Sequence, residues 1–568
     1  MDESFENFNL DGFVIKDKEY RRNRMIKIIK IIVLVLFILV VLGGITYIVI
    51  KILTKDYGKI ICKYLTIADN QTIDLINIYD DNIKFYLLIN KEKYEQKNTH
   101  TFEKAGEHEV TFVFKNKLNT LEFLFKEKQA LIEADLSQLE ADEITSMKRL
   151  FFNCINLKKV KFDFTECRNI EDMSNLFWNC YSLNDIIFNF DTSKVLDMRG
   201  MFEYCSSIKK INFDNLSPKN LKYMDFMFNG CSKLTSIDLS NFNLENVIDM
   251  TFTFQNCHSL QEIKFPNTLT NNLYLMKGIF SNCSNLTELN ISSIRTNNID
   301  DMSHIFSGCS KLKEIDTTAF NTSMLSTMEK TFYGCSSLEK IDLSKFTSKK
   351  LRYVLNAFNG CTNLTEVDLS YVKSIFIDYT CFLFANCINL KSIKLPKNLF
   401  GAKSINSTFE NCTSLSSIDL SSFLDNQDLN TAPDLFKNCI SLINITFPKM
   451  GANLLVNASG MFYGCINLQS LNLGEVTTNN IKYVEEMFYC CHSLIYLNIS
   501  QFNTLKLLNA NDTFKGVDKN ITLIFDDKIT NDIFRNSMEN LSIINSISDI
   551  TMFDFISGQF NCIIMNKI

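Results

Sequence analysis

The feature that most constrains the fold is a phenylalanine that recurs at a nearly constant spacing of about 26 residues over most of the chain. In 14 of its 15 copies a cysteine lies three residues after the phenylalanine, and Val517 takes that place in the last copy. Self-similarity at a fixed period of about 20 to 50 residues is the signature of solenoids and other repeat arrays. The phenylalanines are Phe151, Phe177, Phe202, Phe228, Phe254, Phe280, Phe306, Phe332, Phe358, Phe384, Phe409, Phe436, Phe462, Phe488 and Phe514.

Within each unit the spacing of apolar residues changes once. From Met173 to Cys180 they fall at i, i+3, i+4 and i+7, which is the spacing of one face of a short helix or helical turn. From Leu183 to Phe188 they follow the L-x-x-L-x-L spacing of a leucine-rich-repeat strand. One unit cannot bury its own apolar face, so neighbours must stack. We therefore predict an α/β repeat solenoid of ~26-residue units, with its strands in one parallel sheet and helical turns on the opposite side.

Stacking would turn the phenylalanines and cysteines into two interior columns. A column of cysteines also fits a metal site or redox chemistry, but no C-x-x-C pair is present, and residues one unit apart would be committed to packing. We favour buried structural thiols. The structural ladder is represented by Phe177, Phe228, Phe332, Phe462, Cys180, Cys231, Cys335 and Cys465.

The units resemble the BspA-like leucine-rich repeats of surface proteins, in particular the Mycoplasma-type variant with a Met-Phe…Gly-Cys…Leu…Ile-Asp-Leu unit. The segments MFNGCSKLTSIDLSNFN (227–243) and TFYGCSSLEKIDLSKF (331–346) match that pattern closely. Three copies end their strand in proline instead, at Pro266, Pro396 and Pro448, as in the bacterial BspA form. The resemblance covers about 128–525, implies an exported surface protein, often an adhesin, and brings no catalytic residues.

An uncharged run from Ile31 to Ile50 is long enough to cross a bilayer as a helix. A cleaved signal peptide is the alternative, but this run is longer than a typical signal core, and the charged segment 1–30 precedes it. The segment 16–30 before the run holds seven cations, and the segment 51–65 after it holds four. The positive-inside rule therefore places the N-terminus in the cytosol and the body outside the cell or in a lumen.

These signals divide the chain into five parts. We predict a disordered basic cytosolic tail over 1–30, a transmembrane signal anchor over 31–50, a small β-rich membrane-proximal domain over 57–127, the leucine-rich-repeat solenoid over 128–525 and a C-terminal cap over 526–568. The segment 531–547 has a helical pattern and would cover the open end of the array.

The residue before the last buried position of each strand is the best candidate for ligand contact. A polar, mildly acidic stripe there could bind a basic protein or hydrogen-bond a carbohydrate. The alternatives are strand-end residues that close turns on a solvated face, and a calcium site, for which no D-x-D-x-D-G loop is present. The candidate concave-face residues are Asp238, Asp316, Asp342, Asp368, Asp419, Asn290, Asn472 and Asn498.

Nothing in the chain suggests catalysis. The five histidines have no zinc spacing, and His258 and His492, which follow ladder cysteines, need not have the geometry of a nucleophile–base pair. We expect no catalytic residues, no metal and no cofactor, and the net charge of −6 gives no reason to expect a nucleic-acid partner. We predict a membrane-anchored surface protein for adhesion or for recognition of a protein or carbohydrate, in the extracellular space or a lumen. The alternative is a structural scaffold or tether of the cell envelope or of an internal compartment.

Overall fold

One long helix opens the part of the chain that the structure describes. The computed structural model describes residues 10–541 except 54, 79, 165, 375–376, 397–401, 422–427, 448–451, 519–520, 526–530 and 540. Helix α1 spans Leu10–Leu53, and its section Tyr20–Lys51 is long and apolar enough to cross a membrane. The predicted disorder of 1–30 is therefore wrong from Leu10 onward, because the helix propagates from the apolar run into a segment, 16–24, rich in Lys, Arg and Glu, which have good helix propensity. Residues 1–9 lie outside the described part of the chain.

Short strands follow along the rest of the chain, and a short helix, α2, ends it. Strands before the array are β1 Gly58–Thr66, β2 Gln71–Asp74, β3 Phe85–Ile89, β4 Glu92–Tyr94, β5 Thr99–Phe102 and β6 Gly106–Phe114. Strands within the array are β7 Leu131–Leu139, β8 Lys159–Asp163, β9 Asp185–Asn189, β10 Ser236–Asp238, β11 Glu262–Lys264, β12 Glu366–Asp368, β13 Ser392–Lys394, β14 Ser417–Asp419, β15 Asn444–Thr446, β16 Ser470–Asn472, β17 Tyr496–Asn498 and β18 Thr522–Ile524. Helix α2 spans Asp532–Ser537, within the predicted C-terminal cap, and most of 538–568 lies outside the described residues.

The segment before the array is β-rich, as predicted, but it shares a sheet with the first repeats. The strand order is β4-β3-β6-β1-β7-β8-β9, in which β1 pairs antiparallel with both β6 and β7. From β7 to β9 the strands run parallel, as in a leucine-rich repeat. The sheet thus crosses the boundary predicted between 127 and 128, so the β-rich segment covers the N-terminal end of the solenoid.

Each array unit turns through tandem hydrogen-bonded turns, and the predicted helical turn is wrong. In the unit around Phe177, alternate amides donate to the next unit, such as Phe177 N–H to the Met201 carbonyl at 2.9 Å. The amides between them donate three residues back, such as Cys180 N–H to the Phe177 carbonyl at 3.0 Å. Asn175 and Asn179 have φ of 54° and 60°, which no α-helix contains. Turns and helices both produce i, i+3 and i+4 apolar spacing, so the sequence pattern did not separate them.

The positive φ explains why most units have Asn or Gly immediately before the ladder cysteine, which packing does not explain. The residue before the ladder cysteine has positive φ in every unit and is Asn or Gly in 12 of the 14. Asn and Gly are the residues that tolerate this conformation best. Tyr204 and Cys490 are the two exceptions.

The strands of the array do not form one parallel sheet, which corrects the prediction. Among the described residues, β10 to β18 fall into four separate sheets of two or three strands. A second ladder of single β-bridges is more continuous and runs from Ser146 to Leu275 and again from Asp301 to Asn509. The solenoid is therefore held mainly along the turn side, and the strand side has gaps.

The predicted phenylalanine ladder is present and begins one unit earlier than the sequence indicated. From Phe125 to Phe514, 16 rings stack in 15 successive pairs, with centroids 5.1–5.9 Å apart and interplanar angles of 20° or less. Phe534 of α2 packs edge-on against Phe514 and covers the last ring. Phe125 escaped detection because Lys128 stands where the cysteine would be.

Each ladder cysteine has a specific hydrogen-bonding role. All 14 thiols donate to the carbonyl of the phenylalanine one unit earlier, at 2.9–3.2 Å, as Cys180 Sγ does to Phe151. The same carbonyl already accepts the amide three residues later in its own unit, which belongs to the cysteine in every unit but the first, where it is that of Lys128. A small side chain with a weak donor fits this buried position, which supports the interpretation of the column as structural.

Lys128 fills the cysteine position at the start of the ladder. Its side chain is 3% exposed, and Nζ donates to Asp74 Oδ2 at 2.5 Å and to Asn77 Oδ1. No earlier array unit exists to offer a phenylalanine carbonyl, and the longer side chain instead reaches the β-rich segment. Lys128 therefore ties that segment to the first unit.

Candidate recognition surface

The eight predicted concave-face residues all lie in one column on the strand side of the array. Strand pairing aligns Asp238 with Lys264, Asp368 with Lys394, and Asn472 with Asn498. The column is exposed or half-buried throughout, and each residue stands between two inward-facing apolar positions. The eight residues therefore share one polar column, which also contains Lys264 and Lys394.

Each of these eight side chains closes a turn. The Oδ1 atom accepts the backbone N–H two residues later at 2.8–3.1 Å, in the same way in all eight. Hydrogen bonds from the Ser240 hydroxyl and then from the Ser240 backbone N–H lower the pKa of Asp238, and the equivalent serines lower that of Asp342 and Asp368. The need for a turn thus accounts for Asp or Asn at this position. The polar atom left over for a ligand is the second carboxylate oxygen in Asp and the amide nitrogen in Asn.

Acidic and basic residues of the strand face are unevenly distributed along the array, although the net charge of the chain does not show this. The first sector, in 158–163, 184–189 and 209–214, holds five lysines and three aspartates. The acidic sector comprises 235–240, 261–266, 287–292, 313–318, 339–344 and 365–370, and holds nine carboxylates against three lysines. After it, 391–396 carries two lysines. The C-terminal sector comprises 416–421, 443–447, 469–474 and 495–500, and its one charged residue is Asp419.

A groove opens inside the acidic sector. Its volume is about 770 Å³, and Ser240, Glu262, Lys264, Glu288, Asn290 and Ser292 contribute to its lining. It lies beside β11, which pairs with β10 and with no other strand of the described chain, and the two units that border it also lack the β-bridge between Leu275 and Asp301. The groove therefore lies between two units that lack both strand pairing and a β-bridge among the described residues, although Gly278 N–H still donates to the Ser303 carbonyl at 2.9 Å between the same units.

The cysteine column does not provide a nucleophile. Burial raises the pKa of Cys257 well above its ordinary value, and that of Cys491 to about 12. The adjacent His258 and His492 are exposed on the surface while the thiols point inward. In the described part of the chain, no group of three or more His, Cys, Asp or Glu side chains is arranged to hold a metal ion.

Two protein-family models match overlapping parts of the array. The family described as Mycoplasma protein of unknown function, DUF285, matches residues 145–265 and 270–391. The family described as BspA type leucine rich repeat region matches 355–478 and 429–557. The repeat array belongs to the BspA-type leucine-rich-repeat family. Leucine-rich-repeat proteins commonly mediate protein interactions, and their fold is typically non-catalytic.

Solved structures with similar repeats come from several bacteria. A leucine-rich-repeat protein from Bacteroides ovatus is 23% identical over 60% of this chain and 88% of that one, with a TM-score of 0.38. One from Eubacterium ventriosum is 18% identical over 66% of this chain and 81% of that one, with a TM-score of 0.25. The functional domain of InlJ from Listeria monocytogenes, described as including a cysteine ladder, is 10% identical over 70% and 76%, with a TM-score of 0.18. No curated protein matches the BspA-type chain.

Proposed function

We propose that this BspA-type protein is a membrane-anchored, non-enzymatic recognition protein that binds a cationic protein surface through the acidic sector of its strand face. The groove beside Glu262 and Glu288 is the observation that supports this most strongly, because exposed carboxylates line a concave space of protein-ligand size. Like-signed charge around a concavity attracts an oppositely charged partner and speeds its approach. A carbohydrate partner would instead use the neutral donors and acceptors of Ser240, Asn290 and Ser292.

Anchoring follows from α1. The helix contains one section long and apolar enough to span a bilayer, and the excess of cations before that section favours a cytosolic N-terminus. The array would then be outside the cell or in a lumen, with the β-rich segment of 57–127 next to the membrane, the solenoid over 128–525 and the cap over 526–568. A retained anchor, rather than a cleaved signal, keeps the recognition surface on the cell.

Protease shaving of intact cells, followed by mass spectrometry, tests the placement. We expect released peptides from 150–520 and protection of the segment 1–30. Protection of the array until the cells are permeabilised would contradict a surface location and place the array in a lumen or the cytosol.

A binding assay tests the acidic sector. We expect a fluorescent lysine-rich peptide to bind the full chain with an affinity that falls as salt is added. The variant E262Q/E288Q/E314Q should bind several-fold more weakly. The matched variant E166Q/E245Q/E475Q removes three exposed carboxylates outside the strand-face sectors and should bind like the wild type. Equal binding by both variants would show that the acidic sector is not the site.

A scaffold role is supported by a separate observation. Ile440, Ile443, Ile466 and Ile495 are 37–59% exposed on neighbouring units in the C-terminal part of the array. Grouped exposed isoleucines favour self-association. Sedimentation of the full chain in detergent should show a single copy if recognition is the function, and an oligomer that I466S disperses if the protein is a scaffold.

A further inference from the structure

The section of α1 next to its apolar run carries a dense set of cations. Arg21, Arg22, Arg24, Lys27 and Lys30 lie close together, and Ile31 begins the uncharged run immediately afterwards. No acidic residue occurs from Tyr20 to Lys55. These five residues are called the cationic collar below.

The collar surrounds the helix. Because α1 is continuous from Leu10 to Leu53, each residue advances about 100° around the axis, and the five cations fall on all sides rather than on one face. Side chains from Tyr20 to Lys51 are exposed. A helix lying flat on a membrane would have one cationic face and one apolar face, so an encircling collar fits a helix that passes through the headgroup layer.

The length of the collar fits that layer. From Arg21 to Lys30 the helix rises about 14 Å, directly below a span of hydrocarbon thickness. Met25, Ile26, Ile28 and Ile29 lie among the cations and are themselves exposed. This mixture suits the boundary where phosphate groups and acyl chains meet.

The cations on the two flanks of the apolar run differ in their ion pairing, and the number of cations on each flank does not show this. On the array side, Lys55 pairs with Glu140 at 3.2 Å and Lys63 pairs with Glu133 at 2.7 Å. On the collar side, Arg22, Arg24, Lys27 and Lys30 form no ion pair within the described residues. The array itself thus pairs Lys55 and Lys63 on one flank, whereas the four cations named on the other flank are left for the membrane.

We propose that the cationic collar binds the phosphate-bearing headgroups of anionic phospholipids in the leaflet it crosses. Arginine donates to phosphate oxygens in a bidentate arrangement, and lysine adds a mobile point charge. A juxtamembrane cluster of this density is attracted to the negative surface of an anionic leaflet. The proposal rests on the membrane anchor of the proposed function and adds the lipid class that the anchor selects.

Lipid selectivity of the full chain tests the proposal. The protein is reconstituted in phosphatidylcholine vesicles that contain trace spin-labelled phosphatidylglycerol or spin-labelled phosphatidylcholine, and the motion-restricted fraction of each is measured. We expect the wild type to associate about fivefold more strongly with the anionic label. The preference should fall on addition of molar salt, since surface charges are then screened.

Two variants separate the collar from general charge. R22Q/R24Q/K27Q/K30Q should lose most of the preference, whereas K209Q/K210Q/K349Q/K350Q removes four exposed lysines from the array and should retain it. Equal association of both lipids with a wild-type protein that floats with the vesicles would overturn the collar and leave the anchor intact. A protein that does not float with the vesicles at all would overturn both.

Discussion

The N-terminal units, residues 151–242, and the later units, residues 328–502, share one repeat but pack their second core column differently. In the N-terminal units that column contains Phe162, Phe188 and Phe213, each at most 5% exposed. Phe162 and Phe188 stack at 5.7 Å, parallel to the main phenylalanine ladder. The N-terminal units thus contain two aromatic ladders side by side.

In the later units the equivalent positions are mostly leucine. Leu369 and Leu395 line a cavity of about 40 Å³, and Leu420 and Leu473 line one of about 60 Å³. Both cavities have almost entirely apolar walls. The main phenylalanine ladder continues past them without a break, at 5.1–5.9 Å per step. We infer from this difference that the main phenylalanine ladder determines the fold, whereas the residues of the second core column determine how closely each unit is packed.

The largest expected effect concerns the cysteine ladder, which the two regions share. Burial raises the pKa of the ladder thiols above their ordinary value, so the folded state holds the protons that the unfolded state releases above about pH 8.5. Stability is therefore complete below that pH and falls as pH rises, by up to ~1.4 kcal/mol per thiol per pH unit. Circular dichroism and thiolate absorbance under reducing conditions should show the whole array unfolding in one alkaline transition. Separate transitions for the two regions would show that the cavities, rather than the shared thiols, govern alkaline stability.

The next effect should distinguish the regions. Phe162→Ala removes a ring packed against Phe151, Phe177 and Phe188, and we expect it to cost about 3–5 kcal/mol of local stability. Leu473→Ala, at the equivalent position beside the larger cavity, should cost less, about 2–3 kcal/mol. Hydrogen exchange resolved by unit measures both, and a greater cost at Leu473 would contradict the comparison.

A smaller effect, a gain in stability, should result from replacing Asp225 in the tightly packed N-terminal units. Burial and then the nearby Asp249 raise the pKa of Asp225 to about 6, and its Oδ1 has no hydrogen-bond partner among the described residues. The folded state is thus penalised as pH rises from about 4 through 6, once the carboxyl must ionise. Asp225→Asn should stabilise these units by about 1–2 kcal/mol at pH 7 and by nothing below pH 4. Asp342→Asn keeps its turn and serves as the control; a gain for Asp225→Asn that persists at pH 3 would rule out this cause.

The smallest effect should have opposite signs in the two regions. Leu473→Phe adds atoms where a cavity exists, so we expect it to be neutral or to stabilise by up to ~1 kcal/mol. Leu239→Phe changes the same position in a filled unit, where overpacking costs about 1–3 kcal/mol. Local hydrogen exchange again provides the measurement, and equal penalties would mean that the cavity cannot accept a ring.

Much of the fold could be predicted because repetition amplifies weak signals. The phenylalanine and cysteine positions, the strand spacing and the apolar run were each readable from residue type and spacing. The first unit was missed because Lys128 makes a contact that exists only at the end of an array. The turns were predicted as helical because apolar spacing does not report φ, although the Asn and Gly before each cysteine carried that information.

The candidate surface was less predictable, for a physical reason. Asp238 and its equivalents form one column on the strand side, but their side chains close turns, and a sequence pattern cannot separate turn closure from ligand contact. The groove lies between units that lack strand pairing and also the bridge between Leu275 and Asp301, and neither interruption leaves a motif in the sequence. The charge sectors were present in the sequence and became apparent only once the exposed columns were aligned.

Site-specific photo-crosslinking tests the central claim, that recognition belongs to the strand face. A photo-reactive phenylalanine analogue is placed at Glu288, in the groove, or at Tyr333, which is exposed on the turn side, in the full chain on cells. We predict a discrete adduct with a partner protein from Glu288 and none from Tyr333. An adduct from Tyr333 alone, or equally from both positions, would contradict recognition through the strand face.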